Sequence, residues 1–171
     1  MSKIELLKAG FPDANLVAEL SRKSFEETFG AVNTKENMQI FLDEQFTTKE
    51  LMSKVGRPEH KHMIIYCNEV PAGYFFIKYR SHPLLLNEKA LEISRIYCLK
   101  NFQGMGLGKL MMQEVFREAK RKHFDQVWLG VWKQNTSALS FYHSFGYKIF
   151  GTTFFMLGKD CQEDWLMEKK C

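Results

Sequence analysis

The sequence lacks the features that would place it in a membrane or around a metal ion. No apolar run approaches the ~18 residues needed to span a bilayer, and charges interrupt the apolar residues of positions 1–8, so no signal-peptide core is present. The four cysteines form no Cys-x-x-Cys pair, and the five histidines show no spacing suited to zinc. These absences predict a cytoplasmic, soluble protein that holds no metal ion and uses no nucleophilic cysteine.

Clustered positive charge is lacking as well. The chain carries 24 Lys and Arg against 20 Asp and Glu, a net charge of +4, with no basic stripe of the kind that binds nucleic acid. The densest basic run, residues 120–122, is expected to end a helix, where cations interact favourably with the helix dipole. The charge pattern therefore predicts no nucleic-acid partner, but it suits a small polyanionic ligand.

What the chain does have is the composition of one globular domain. It has 171 residues, of which 45% are hydrophobic and 26% charged, without internal repeat or linker. Hydrophobic periodicity and turn residues predict strands over 3–8, 62–66, 74–79, 90–99, 126–132, 148–155 and 165–168, and helices that begin near residues 13, 34, 47, 107 and 136. This order predicts a single α/β (α+β) domain over residues 1–171, with helices flanking a mixed, mostly antiparallel twisted sheet.

A glycine-rich stretch, Gln103 to Lys109, stands between a predicted strand and an amphipathic helix. Its glycines at 104, 106 and 108 leave backbone N–H groups accessible at the positive end of that helix, which favours binding of a phosphate or pyrophosphate. The spacing does not fit a Walker P-loop or a Rossmann fingerprint, because Gln103, Lys109 and Leu110 stand where those motifs need other residues. A connection that binds no ligand is the alternative.

Two motifs, in this order along the chain, resemble those of a known family. Gln103-x-x-Gly106-x-Gly108, between a strand and a long helix, resembles motif A of the GNAT (Gcn5-related) N-acetyltransferases. The strand 127–132 is followed at the family's spacing by the second motif, which comprises Asn135, Ala138, Phe141-Tyr142 and Phe145-Gly146-Tyr147. The resemblance implies that acetyl-CoA binds in the splay between two central strands and that its acetyl group is transferred to an amine.

The resemblance also implies where the cofactor binds and which group acts as the acid. Residues expected to contact acetyl-CoA through the backbone are Ile96, Tyr97, Cys98 and Leu99 for pantetheine, and Gln103, Gly104, Met105, Gly106, Leu107, Gly108 and Lys109 for pyrophosphate. Asn135 is expected beside the pantetheine arm, although it would also serve as a helix N-cap. Tyr142 is expected to donate a proton to the departing thiolate; as an alternative, it belongs to a helical core stripe with Ala138, Phe141 and Phe145.

The acceptor amine must lose a proton before it attacks the thioester. Glu92, on the strand before the glycine-rich stretch, is a candidate general base that would act through water. The alternative is an ion-paired strand residue, with Arg95 as a possible partner. Because no histidine or cysteine occupies a convincing covalent position, direct transfer in a ternary complex is expected.

A narrower resemblance, to bacterial PaiA-type polyamine acetyltransferases, suggests the acceptor. It rests on residues 24–42, 92–97 and 128–132, and on residues 155–158 followed by Asp164. This subgroup implies spermidine or spermine as acceptor. Residues 19–50 hold seven acidic and four basic residues, so Glu26 and Glu27 are candidates for binding a cationic substrate. Solvated helix faces would also explain this charge. Glu92, outside this segment, is a third candidate. A protein N-terminus or lysine, an aminoglycoside, and a non-catalytic acyl-CoA-binding module are the alternatives, and the protein is expected to be a monomer or a homodimer.

Overall fold

Seven strands form one sheet in the order β1-β2-β3-β4-β5-β7-β6. The structure is a computed structural model that describes residues 2–85 and 88–171. The elements are β1 (Ile4–Lys8), α1 (Ala14–Phe29), α2 (Lys35–Gln45), α3 (Thr48–Met52), β2 (His60–Cys67), β3 (Val70–Lys78), β4 (Ala90–Cys98), α4 (Leu107–Arg121), β5 (Gln126–Trp132), α5 (Thr136–Ser144), β6 (Lys148–Leu157) and β7 (Asp160–Lys170). Within the described ranges no helix has the length and hydrophobicity to cross a membrane.

The predicted fold class and order of elements are confirmed, with two large changes of boundary: β3 begins at Val70 rather than at residue 74, and β7 is longer than predicted. Strand β7 begins at Asp160, whereas the sequence predicts a strand over 165–168 alone and a loop up to 160. Polar residues dominate 160–164, but their backbone pairs with β6 on one side and, from Asp164 onwards, with β5 on the other. Since pairing with β6 satisfies backbone groups of residues 160–163 whatever the side chains are, the hairpin turn shortens to Gly158 and Lys159.

The two central strands separate part of the way along their length. Strands β4 and β5 are parallel and pair only from Ala90–Gln126 to Ile93–Leu129. Beyond Ile93, β4 stays paired with β3 and β5 stays paired with β7, so that a gap opens between them. This gap is the predicted splay.

Helices α4 and α5 cover one face of the sheet. The apolar stripe of α4 (Leu107, Met111, Val115 and Ala119) is at most 1% exposed and packs on the inward residues of β4 and β5. Burial of each large aliphatic side chain stabilises the fold by about 1.5–3 kcal/mol. The helical periodicity of this segment therefore predicted its buried face correctly.

Helices α1 and α2 cover the opposite face, which is rich in aromatic residues. Phe25, Phe41 and Phe46 are each at most 4% exposed, and the Phe25 and Phe41 rings stack at 4.5 Å between centroids. The β6–β7 turn is fixed against α2, because the Lys159 N–H donates to Asn37 Oδ1 at 2.9 Å. An added Cβ at Gly158 (φ +60°) would lie 2.6 Å from Asn37 Cα, so only glycine permits this approach.

Candidate active site

A cavity of about 1330 Å³ runs through the gap between β4 and β5 and reaches both faces of the sheet. We call the part lined by residues 96–98, by the glycine turn and by α5 with Asn135 the cofactor end. The part lined by α1, by the α1-facing side of β4 and β5, by Lys78 and residues 80–83, and by the β6–β7 hairpin is the acceptor end. Pockets for a single small-molecule ligand measure roughly 300–1,000 Å³, so this cavity is larger than one such ligand needs.

The glycine turn at the cofactor end requires glycine for its backbone rather than for space. Gly104 and Gly106 both have φ +77°, a left-handed conformation that side chains disfavour, yet no atom lies within 4 Å of an ideal Cβ at either residue. Gly106 is also the N-cap of α4 and supplies no side-chain acceptor for the N–H groups of the first turn. These donors, with the positive end of the helix dipole, fit the pyrophosphate of CoA.

Most of the residues predicted to bind the cofactor line this end of the cavity. They are Ile96, Tyr97, Cys98, Gln103, Gly104, Gly106, Leu107, Gly108, Lys109, Asn135 and Tyr142. Met105 does not line the wall, and its side chain is 46% exposed. The prediction for Leu99 is wrong in its physical basis, because the Leu99 N–H already donates to Ala72 O at 2.9 Å and its carbonyl accepts from Phe102 N at 2.9 Å.

Two polar side chains position the backbone around the cofactor end. Gln103 Nε2 donates to the Cys98 carbonyl at 3.4 Å and ties the turn to the end of β4. Asn135 Oδ1 accepts from the Ala138 N–H at 3.2 Å, so the predicted N-cap of α5 is confirmed. Because Asn135 also lines the cavity, capping and a contact with pantetheine are compatible.

Tyr142 lies in α5 between the hydrophobic core and the cavity. It is 9% exposed and packs edge-on against Phe141 and Tyr147, with centroids 5.5 and 5.7 Å apart, so the predicted core stripe exists. Tyr142 also lines the cavity. Burial raises the pKa of Tyr142, which keeps the phenol protonated at neutral pH and able to donate.

Glu92 lies on the acceptor side of β4 and is ion-paired. Arg80 Nε donates to Glu92 Oε2, and Lys78 Nζ lies 3.9 Å from Oε1. The suggested pairing with Arg95 is wrong: the Arg95 guanidinium lies over the Phe46 ring at 4.7 Å and over the Phe76 ring at 5.7 Å. Arg80, just after β3, binds the carboxylate instead, and the cross-strand neighbour Lys78 lies at the edge of ion-pair distance. Glu92 nevertheless lines the cavity.

The two glutamates predicted in α1 have different environments. Glu27 lines the cavity, and its Oε2 accepts from the Lys100 N–H at 2.7 Å. Glu26 is exposed and does not line the wall. The structure therefore brings Glu27 and Glu92 to the acceptor end and leaves Glu26 outside it.

Sequence reasoning missed a third carboxylate at the acceptor end, that of Asp164. Asp164 lines the cavity, and burial raises its pKa from the ordinary value to about 6. Its Oδ1 is buried without a hydrogen-bond partner in the described part of the chain. The predicted loop covered residues 157–160 and the predicted strand residues 165–168, so Asp164 was placed in neither and was given no role in the site. The period-2 run Gln162, Asp164, Leu166 was the signal that would have placed this side chain on the inner face.

Comparison with protein families agrees with this geometry. The profile described as "Acetyltransferase (GNAT) family" matches residues 17–147. An uncharacterized N-acetyltransferase in the pepI 3′ region of Lactobacillus delbrueckii subsp. lactis is 31% identical over 99% of this chain and 98% of its own length. The spermidine N(1)-acetyltransferase of Thermoplasma acidophilum is 23% identical over 98% of this chain and 97% of its own length.

Solved structures give the same fold. The crystal structure of the PaiA N-acetyltransferase from Thermoplasma acidophilum in complex with coenzyme A superposes with a TM-score of 0.83 at 21% identity, covering 99% of both chains. At that identity the likeness establishes the fold alone, whereas the family profile extends over more than half of the chain. The chain belongs to the GNAT family and is an acetyl-CoA-dependent N-acetyltransferase.

Proposed function

We propose that this enzyme acetylates a primary amine of a polyamine such as spermidine or spermine by direct transfer in a ternary complex. Acetyl-CoA supplies an activated acetyl group as a thioester. The observation that carries the proposal is the buried, protonated Tyr142 phenol on the wall of a cavity that the glycine turn closes at one end. A phenol at this place donates a proton to the departing thiolate, and proton donation of this kind typically contributes about 10²–10⁴-fold to the rate.

Direct transfer is supported by the state of the nearest cysteine. Cys98 lines the cavity, but burial raises the pKa of its thiol to about 11. At neutral pH the thiol is therefore almost wholly protonated and a poor nucleophile. An acyl-enzyme on Cys98 is not expected, and the acceptor amine attacks the thioester itself.

A polyamine acceptor is supported by charge and by one relative. Glu27 and Asp164 place carboxylates at the acceptor end, where they attract the ammonium groups of a polycation. The spermidine N(1)-acetyltransferase of Thermoplasma acidophilum matches along nearly the whole chain. The role predicted for Glu92 as base remains a prediction.

One observation favours a second class of acceptor. The Arg95 guanidinium lines the cavity and lies over two phenyl rings. Among residues 2–85 and 88–171, no carboxylate forms an ion pair with it. Such a cation would attract an acceptor that carries an anionic group beside its amine, for instance a short peptide with a free carboxylate. The same cation would repel a polyamine from this part of the cavity.

Thiol release from acetyl-CoA separates these candidates. Spermidine, spermine, an aminoglycoside and short peptides with free or amidated C-termini are compared at matched concentrations. Saturable turnover with polyamines supports the first proposal. Turnover with free-carboxylate peptides and not with their amides supports the second. No turnover with any of these amines, while acetyl-CoA still binds, contradicts the proposed function and favours a non-catalytic binding module.

A further inference from the structure

The carboxylates at the acceptor end differ in the groups that already bind them. Glu92 is held by Arg80 and Lys78, and Glu27 accepts from the Lys100 N–H. Oδ1 of Asp164, in contrast, is buried and has no hydrogen-bond partner in the part of the chain described. An unsatisfied buried acceptor costs about 1–3 kcal/mol of stability. Such a group in a cavity wall is consistent with a ligand that donates to it.

Strand register aims this carboxylate towards the gap. Asp164 pairs with Trp132 on β5 and with Thr153 on β6, and Thr153 also lines the cavity. Two residues before Trp132, β5 carries Gly130, where an ideal Cβ would lie 3.6 Å from Asp164 Oδ2. Glycine at this position leaves open the side of β5 that faces the carboxylate.

Asp164 is close enough to the catalytic region to affect its electrostatics. Burial raises the pKa of Tyr97, and the Tyr74 and Tyr142 phenols and the Asp164 carboxylate raise it further. Tyr97 therefore lies within electrostatic range of both Tyr142 and Asp164. The proton donor and the unsatisfied carboxylate both line the cavity that Tyr97 also lines.

We propose that Asp164 binds the ammonium group of the acceptor and takes its first proton before the amine attacks the thioester. This inference rests on the proposed acetyl transfer and holds for any primary amine. The ammonium donates to Oδ1, transfers one proton to Asp164 and becomes a neutral amine, and Asp164 later releases that proton to solvent. A C–N bond then forms and the C–S bond breaks. Tyr142 protonates the thiolate and recovers its proton from the amide nitrogen, so that one proton is released overall.

The environment of Asp164 suits this role. Burial raises its pKa to about 6, so the group is ionised at neutral pH but is more basic than an exposed aspartate. The other charged or titratable side chains that line the acceptor end are Glu27, Lys78, Arg80, His82, Glu92 and Arg95. On the same strand, Glu163 is exposed, does not line the cavity and pairs with Lys133 at 2.6 Å.

The test is the pH dependence of kcat/KM for Asp164→Asn, measured with the amine that the wild type turns over fastest. We expect at least a tenfold loss of kcat, loss of the acidic limb near pH 6, and unchanged affinity for acetyl-CoA by calorimetry. Glu163→Gln is the matched control, since it removes the same charge one residue away on the outer side of the strand. It should keep both the rate and the limb.

Two results with an active wild type would overturn the inference. One is an Asp164→Asn enzyme with the wild-type rate and the same acidic limb. The other is an acidic limb that disappears in Glu92→Gln but persists in Asp164→Asn, which would return the base to Glu92. Both leave the proposed function intact, whereas a wild type that acetylates no amine overturns the proposed function and this inference together.

A wild-type measurement covers the case in which Asp164→Asn fails to fold. With CoA present, the dissociation constant of the acceptor should rise about tenfold per pH unit below pH 6, because protonation of one carboxylate opposes binding of the ammonium. A dissociation constant that stays flat from pH 5 to pH 8 overturns the inference.

Discussion

Two buried carboxylates on opposite faces of the sheet show how differently the two faces are used. On the α4 face, Glu118 is 1% exposed and accepts from Tyr79 Oη at 2.7 Å, Arg121 Nη2 at 2.8 Å and Lys61 Nζ at 2.9 Å. Burial alone would raise its pKa, but these donors lower it to about 2. On the cavity face, Asp164 has an unsatisfied oxygen and burial raises its pKa to about 6.

The difference separates a carboxylate that stabilises the fold from one that is available for chemistry. Glu118 is a fully bonded anion whose proton affinity is too low for acid–base work at neutral pH. Asp164 has an unsatisfied oxygen and a pKa closer to neutrality. Shifted pKa values of this kind are common at functional sites. Substitutions on the two faces should therefore affect different quantities.

The largest expected effect is on the cavity face. Tyr142→Phe removes one oxygen, and we expect turnover to fall at least tenfold, since proton donation typically contributes about 10²–10⁴-fold. Affinity for acetyl-CoA, measured by calorimetry, should not change, because the glycine turn and the β4 backbone remain. Unchanged turnover would remove Tyr142 from the mechanism.

On the α4 face the expected effect is on stability. Glu118→Gln removes the charge that Lys61 and Arg121 share, but Lys61 still lies 3.7 Å from Glu114 Oε1 and the Arg121 side chain is 64% exposed. The free energy of unfolding should therefore fall by about 1–3 kcal/mol. Turnover per folded molecule should stay at the wild-type value. Urea unfolding followed by fluorescence measures the free energy of unfolding. Glu114→Gln, which loses an exposed partner in Arg117 and a longer contact with Lys61 at 3.7 Å, should change it by less than about 1 kcal/mol.

The same variant has a defined pH signature. The pKa of Glu118 falls from 4.5 to about 2 on folding, so its stabilisation is fully present above pH 4.5 and is lost as the pH falls towards 2. In Glu118→Gln this part of the acid destabilisation should be absent. Wild-type and variant unfolding curves that keep a constant separation between pH 5 and pH 2 would contradict the assignment.

A smaller effect is expected at the glycine turn. Gly106→Ala forces a side chain into φ +77°, at a cost of roughly 1–2 kcal/mol. If the turn relaxes to avoid this cost, affinity for CoA falls about 5–30-fold, at 1.4 kcal/mol per factor of ten. Gly10→Ala is the control, because Gly10 has φ −106° and its nearest neighbour to an added Cβ is an ordinary contact at 3.6 Å. Equal affinities for the two variants would argue against a role for the turn.

The smallest effect concerns the acidic residues of α1. Glu27→Gln keeps an oxygen for the Lys100 N–H but removes the charge, and an exposed charge pair contributes about 0.2–1 kcal/mol. We therefore expect KM for spermidine to rise up to about fivefold. Glu26→Gln should have a smaller effect, because Glu26 does not line the cavity. The reverse order would restore the sequence-based role of Glu26.

Local patterns predicted the cofactor end better than the acceptor end. The glycine turn and the α4 stripe depend on residues close together in sequence, so spacing and periodicity were enough to find them. Asp164 depends on the long-range register of β7 with β5 and β6, which its polar flanking residues concealed. The partners of Glu92 likewise depend on the pairing of β3 with β4, which brings Arg80 and Lys78 to the carboxylate, rather than on proximity along the chain.

The short pairing of β4 with β5 also affects the thermodynamics of folding. The two strands pair at four positions, which leaves the gap in the middle of the sheet. Any molecule that binds in this gap binds the folded chain in preference to the unfolded one. At one hundred times its dissociation constant, such a ligand adds about 2.7 kcal/mol to the free energy of unfolding. The resistance of this enzyme to heat and proteolysis should therefore rise and fall with the supply of its own acyl donor.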